Sequence, residues 1–203
     1  PEEPNDTDAL NSVMAAISMQ QQIDSFNKDN KMAEEKLLRV GIGIHSGPVI
    51  IGTVGSEERM ESTVTGDTVN LASRLEGLTK FYRSKILISQ STYEFIDSES
   101  SFEFRELDLV KVKGKDEPVT IFEVCNSDPE PIREQKLGSR ENFAEALKDY
   151  RSQKWTAAMT KFKSCLKDCP EDGAAELYLD RCKVFKKTPP PKDWKGEQVF
   201  TQK

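Results

Sequence analysis

The stretch "LLRVGIGIHSGPVIIGTVG", Leu37 to Gly55, is rich in β-branched residues and punctuated by glycine. Its pattern predicts two strands, Leu38 to His45 and Val49 to Val54, joined at Ser46-Gly47-Pro48. Gly41, Gly43 and Gly47 do not have the Gly-x-Gly-x-x-Gly spacing of a dinucleotide-binding turn, and no helix follows at once. Glycine inside a strand marks a place where another backbone or a ligand must come close.

Downstream lies "GDTVNLASRLE", Gly66 to Glu76, which reads as a helix opening on a tight turn. Asn70 and Arg74 are four residues apart, so a helix stacks them one turn above the other on one face. Asp67 at the helix start reads as a capping and turn residue. On residue types alone the pair also fits a solvated helix face, with Arg74 paired to Glu76 or Asp67.

Outward from these two stretches the elements continue on both sides. "DALNSVMAAISMQQQIDSF" carries Leu10, Val13, Met14, Ile17, Ile23 and Phe26 at helical spacing, with Asp8 as its expected N-cap. The polar run "NKDNKMAEEK" separates it from the strand pair. "KILISQSTYEFI" predicts a short strand and a helix capped by Ser89 or Ser91. "FEFRELDLVKVKGKDEPVTIFEV" predicts two strands around a Lys113-Gly114-Lys115 turn, with Pro118 at the edge of the second. The order predicts an α+β arrangement, helices against a mostly antiparallel sheet.

The composition changes near Asp128. "NSDPEPIREQKLGS" reads as a linker by its prolines and charges, residues 127–139. Glu141 to Ser152, Trp155 to Lys167 and Ala174 to Lys186 then predict three amphipathic helices, with Phe143, Tyr150, Trp155, Phe162 and Tyr178 on their apolar faces. Residues 188–203 read as an extended tail that packs through Trp194 and Phe200. The expected domains are 1–126, a helical unit over 140–187, and this tail.

The bulk properties exclude several classes. A net charge of −6 over 203 residues disfavours a duplex-binding surface, so no nucleic-acid partner is expected. No apolar run approaches the roughly 20 residues that span a bilayer. Cys125, Cys165, Cys169 and Cys182 form no Cys-x-x-Cys pair and His45 is the one histidine, so no zinc site is expected. They read as reduced cysteines packed in helices of a cytoplasmic protein.

"RVGIGIHSGPVIIGTVG" and "TVTGDTVNLASRLE", in this order and spacing, resemble the catalytic core of class III nucleotidyl cyclases, mostly the bacterial adenylate cyclases. The likeness runs from about Ala9 to Val124, and the helices with "PPPKDW" resemble the tetratricopeptide-like tail of many bacterial members. The fold implied is a ferredoxin-like cyclase domain, truncated at its N-terminus, followed by a small all-α tail. The activity implied is conversion of ATP to 3′,5′-cyclic AMP and pyrophosphate. By motif match Asn70 orients the ribose and Arg74 binds the α-phosphate in the transition state. Thr63, seven residues before Asn70, falls at the position that reads the purine, where a hydroxyl can accept from the adenine amine. Lys113 matches a lysine that contacts the terminal phosphates. His45 falls on a strand histidine read as structural.

The resemblance also implies a site shared by two cyclase domains, with Mg2+ or Mn2+ held by two aspartates. Those aspartates would precede Pro1; Asp6, Asp8 and Asp67 do not match their motifs, so no metal ligand is assigned here. A homodimer, strand-swapped in this chain, is the expected assembly, and the chain alone is expected to be inactive. Guanylate cyclase and a non-catalytic regulatory module are the alternatives.

Overall fold

The computed structural model describes residues 7–56, 59–96, 100–112 and 117–200. The chain opens with helix α1 (Asp8–Asp29), followed by strand β1 (Ile42–Ile44) and the hairpin β2 (Ile50–Ser56) and β3 (Arg59–Thr65). Helix α2 (Asp67–Tyr82), strand β4 (Ile86–Ser89), helix α3 (Gln90–Glu94) and strands β5 (Phe104–Val112) and β6 (Val119–Val124) come next. Helices α4 (Glu130–Gly138), α5 (Arg140–Arg151), α6 (Trp155–Asp168) and α7 (Gly173–Lys187) lead to a last strand, β7 (Gln198–Phe200).

Among the described residues, five strands form one mixed sheet in the order β1-β4-β6-β5-β7, and β2 and β3 pair only with each other. β1 runs parallel to β4 and β7 parallel to β5, while β6 is antiparallel to both its neighbours. Helices cover both faces. Val13 and Ile17 of α1 meet Ile86, Ile88, Phe104 and Val124 on one side. On the other, Leu71, Leu75, Leu78 and Tyr82 of α2 join Leu87, Leu107, Val110, Ile121 and the aromatic residues of α5–α7 in one cluster. Being covered twice, β4 is buried at every position, the pattern of an inner strand rather than an alternating one.

Ionic groups cross between the sheet and the later helices. Arg105 of β5, 2% exposed, binds Glu123 of β6 and makes a two-pronged contact to Asp172, the N-cap of α7, at 2.6 and 2.9 Å. Its guanidinium also lies 4.1 Å over the ring of Phe143. Lys136 of α4 reaches Glu123 at 3.0 Å and Asp128 at 2.7 Å. Burial alone would raise the carboxyl of Glu123, but Arg105 and Lys136 outweigh it and hold it below its ordinary value. Asp172 is lowered in the same way: burial is outweighed by its hydrogen bonds from Arg105.

Four expectations change. Residues 130–138, read as linker, are helical, because Pro131 sits in the first turn where its missing N–H is no loss, and Lys136 finds buried carboxylates. Strand β1 is confined to Ile42–Ile44, since Leu38 and Val40 are exposed and the preceding backbone is tied to α1 through Asn27 and Gln20. The cap of α1 is Thr7, and Asp8 is its first helical residue. Strand β3, and strand β7 within the tail, were not anticipated. Ser89, by contrast, caps α3 as expected, accepting from the Thr92 amide.

Candidate functional site

Helix α2 is seated by Gly43 of β1 and by Gly41 just before it. A Cβ at Gly43 would lie 2.3 Å from the Glu76 amide nitrogen and 2.4 Å from the Ala72 carbonyl oxygen, so the helix backbone rests directly on the strand. The close approach anticipated for a strand glycine is therefore to backbone. Gly66, the N-cap, has φ of 139°, a conformation that an L side chain rarely adopts, and it turns β3 into α2. Thr68 fixes the helix start by donating to the Pro48 carbonyl at 2.6 Å.

With Leu71, Leu75, Leu78 and Tyr82 buried, the flanking stripe of α2 carries Asn70, exposed, and Arg74, half-buried. The structure brings these two together, one turn apart on a single helix. Thr63 is half-buried on β3, opposite Gly52, three residues before the glycine that starts α2. Lys113 lies outside the described residues, immediately after the end of β5, as does Asp6.

His45 is a clip between elements. Its Nδ1 is 2.8 Å from the Ser89 hydroxyl and 3.0 Å from that of Ser91, which donates to the Ser46 carbonyl at 3.1 Å. These bonds tie the end of β1 to the start of α3. An open cleft of about 720 Å3 lies beside them, bounded by the His45–Ile50 turn, the first residues of α2, Glu94 and Pro118–Thr120. Asp67, Thr68 and Leu71 line it; Asn70, Arg74 and Thr63 do not. Among the described residues, no group of three or more His, Cys, Asp or Glu side chains is placed to hold a metal ion. The described residues therefore do not form a cage for Mg2+ or Mn2+.

The other end of α2 carries contacts that sequence reasoning missed. The Tyr82 hydroxyl donates to Asp108 Oδ2 at 2.5 Å, and Arg181 of α7 reaches the same oxygen at 2.7 Å. Burial, followed by the neighbouring Asp108 charge, pushes the Tyr82 hydroxyl well above its ordinary value, so it stays a donor. β5 also carries Arg105, Glu106 and Lys111, so Asp108 did not stand out in the sequence.

Comparison with known proteins adds the following. Residues 2–124 match the family model described as adenylate and guanylate cyclase catalytic domain. The chain is 38% identical over 175 residues to the terminal-differentiation-specific adenylate cyclase of Dictyostelium discoideum, covering 86% of this chain and 8% of that protein. That likeness is longer than the family match and runs into the helical tail. It is 51% identical over 115 residues to an adenylate cyclase of Anabaena cylindrica, covering 54% of this chain and 23% of the relative. The chain thus spans less than a quarter of the length of either curated relative. Among solved structures, the adenylyl cyclase CyaB from P. aeruginosa aligns with a TM-score of 0.51 at 32% identity, over 60% of this chain and 61% of that one. The guanylyl cyclase Cya2 aligns with the same TM-score and identity over 64% of each chain.

Proposed function

The chain belongs to the adenylate and guanylate cyclase catalytic-domain family, and we propose that it supplies the Asn/Arg half of an adenylate cyclase site. The observation that carries this reading is the presentation of Asn70 and Arg74 one turn apart on a helix seated directly against β1. In the reaction the ribose 3′-oxygen of ATP bonds to its own α-phosphorus, the bond from that phosphorus to the bridging oxygen breaks, and pyrophosphate leaves. Asn70 holds the ribose so that the 3′-oxygen attacks in line. Arg74 offers a planar, permanently charged donor fork to the crowded α-phosphate as charge builds. Thr63 accepts from the adenine amine, which favours ATP over GTP, and Lys113 contacts the terminal phosphates as a point charge.

A divalent ion supplies charge neutralisation to the family's reaction, and we assign its ligands to a second cyclase domain. The working unit is then a dimer of cyclase domains that binds ATP in the cytoplasm; the described helices include none long and apolar enough to cross a membrane. The exposed side chains of Ile50, Ile51 and Met60 on the β2–β3 hairpin support such an association. We read α5–α7 as the tetratricopeptide-like tail of the bacterial enzymes.

The test is complementation. This chain is mixed with the catalytic domain of the Anabaena cylindrica relative, whose own counterparts of Asn70 and Arg74 are replaced while its acidic residues are kept. Cyclic AMP formed from ATP and a divalent ion on mixing, and from neither protein alone, is the expected result. Association without cyclic AMP would replace this reading with that of a regulatory module; preferential turnover of GTP would replace the substrate.

A further inference from the structure

The tail helix α7 touches the helix that carries Asn70 and Arg74 at the end remote from those residues. Three groups meet there. Asp108 sits in β5 just after a register shift between Glu106 and Asp108, and is 1% exposed. Its Oδ2 accepts from Tyr82 of α2 at 2.5 Å and from Arg181 of α7 at 2.7 Å, and its Oδ1 accepts from the Leu109 amide at 2.7 Å. The Arg181 guanidinium lies 5.6 Å from the ring centre of Tyr82 and 5.0 Å from that of Tyr178. Tyr178 in turn donates to the Leu107 carbonyl at 2.8 Å. One buried carboxylate therefore joins the sheet, the last turn of α2 and the middle of α7.

We propose that Asp108, Tyr82 and Arg181 form a positioning group through which the helical tail sets the angle of α2, and with it Arg74. The proposal rests on the cyclase reading for its catalytic consequence. The geometry gives its scale. Arg74 and Tyr82 are eight residues apart, about 12 Å along the helix axis at the usual rise. A turn of α2 by about 10° about its own axis, with the Gly43 contact as its bearing, moves a side-chain end about 5–6 Å from that axis by about 1 Å, and a misplacement of that size costs on the order of a hundredfold in rate. Thr68 on Pro48 holds the start of α2, the Gly43 contact its middle and Gly41 against Thr79 the entry to its last turn, and none of these touches Tyr82. The charge-assisted hydrogen bond from Tyr82 to Asp108 is directional, and Asp108 is itself ion-paired to Arg181, whereas the surrounding apolar packing of Leu75, Leu78 and Leu179 is not directional.

The experiment compares the full chain with Tyr82→Phe, Arg181→Met and Arg181→Lys variants. Val13→Ala, in the separate cluster under α1, serves as a control for simple loss of stability. Each is measured for hydrogen exchange along the chain, and for kcat and KM for ATP in the complementation pair. The expected result is faster exchange confined to α2 and α7 in Tyr82→Phe and Arg181→Met. With it goes a fall in kcat of tenfold or more at a KM within twofold, and partial recovery in Arg181→Lys. Val13→Ala should lower the melting temperature without changing kcat. Exchange in α2 left unchanged, or a kcat loss in Val13→Ala equal to that in Tyr82→Phe at equal loss of melting temperature, would overturn the proposal. Should Arg181→Met fail to fold, Tyr82→Phe, which deletes one oxygen atom, decides. An inactive wild-type pair would overturn the cyclase reading itself, and the exchange data would still accept or reject the mechanical link between α7 and α2.

Discussion

The two faces that flank α2 are finished to very different degrees. Towards the helical tail, the sheet is closed by apolar packing and by buried charges that all find partners: Arg105 with Glu123 and Asp172, Lys136 with Glu123 and Asp128, Arg181 with Asp108. Towards the β2–β3 hairpin no described residue covers Ile50, Ile51 or Met60 to the same degree. Ile50 and Ile51 are 70% and 73% exposed although they point to opposite faces of the hairpin, and Met60 is 72% exposed. Water on both sides of an isoleucine pair gives no stabilisation, so a two-stranded ribbon of this kind is marginal by itself. The tail shares one apolar cluster with the sheet, whereas the hairpin leaves large apolar side chains exposed that could meet another surface. Under the proposed reading, that surface belongs to the second cyclase domain.

The largest effect should come from breaking the finished side. Replacing Arg105 by Met leaves Glu123 and Asp172 buried with their main cation gone, and removal of one partner from such a group costs about 3–5 kcal/mol. Urea denaturation reads this directly. A loss under about 1 kcal/mol would mean that water reaches the cluster and that the tail is not sealed against the sheet.

Acid should act on the same cluster. Glu123 and Asp172 are held below their ordinary values of 4.5 and 3.8, so both bind protons less readily in the folded than in the unfolded chain. Their stabilisation is fully present above those values and is lost as pH falls through the depressed folded ones. Asp128, raised by burial, works in the opposite direction and offsets part of the loss. The urea midpoint should therefore fall as pH drops below about 4.5, and Arg105→Met should flatten that dependence. An unchanged acid limb in Arg105→Met would assign it to other carboxylates.

The smallest effect on stability should come from the unfinished side. Ile50→Ser with Ile51→Ser should change unfolding free energy by no more than about 0.5 kcal/mol, as exposed positions do. The same change should lower self-association measured by sedimentation. Unchanged association would remove the hairpin from the interface.

How much of this was legible depended on whether burial left a pattern. β1, β2 and α2 could be read because "GIGIHSGPVIIGTVG" pairs β-branched residues with glycine and because Leu71, Leu75 and Leu78 recur at helical spacing. β3, "RMESTVT", could not, since its mix of charged, hydroxyl and apolar residues lacks the apolar run that marked its partner β2. Helix α4 was hidden by prolines that look like linker signals but occupy its first turn. Asn70 and Arg74 are close in sequence, and four-residue spacing on a helix suffices to join them. Tyr82, Asp108 and Arg181 are not: Asp108 is 26 residues from Tyr82 and 73 from Arg181. Arg105 and Asp108 are three apart, which in a regular strand would send them to opposite faces. The register shift between Glu106 and Asp108 corrects the parity, so both face the tail helices.

The most direct measurement is the rate of cyclic AMP formation in the complementation pair with this chain carrying Arg74→Ala. Loss of a transition-state donor predicts a fall in kcat on the order of a hundred- to a thousandfold, about 3–4 kcal/mol, with the two proteins still associated. A rate within a few-fold of the unsubstituted chain would contradict the account, because the helix seated on β1 would then present Arg74 to solvent rather than to a phosphate.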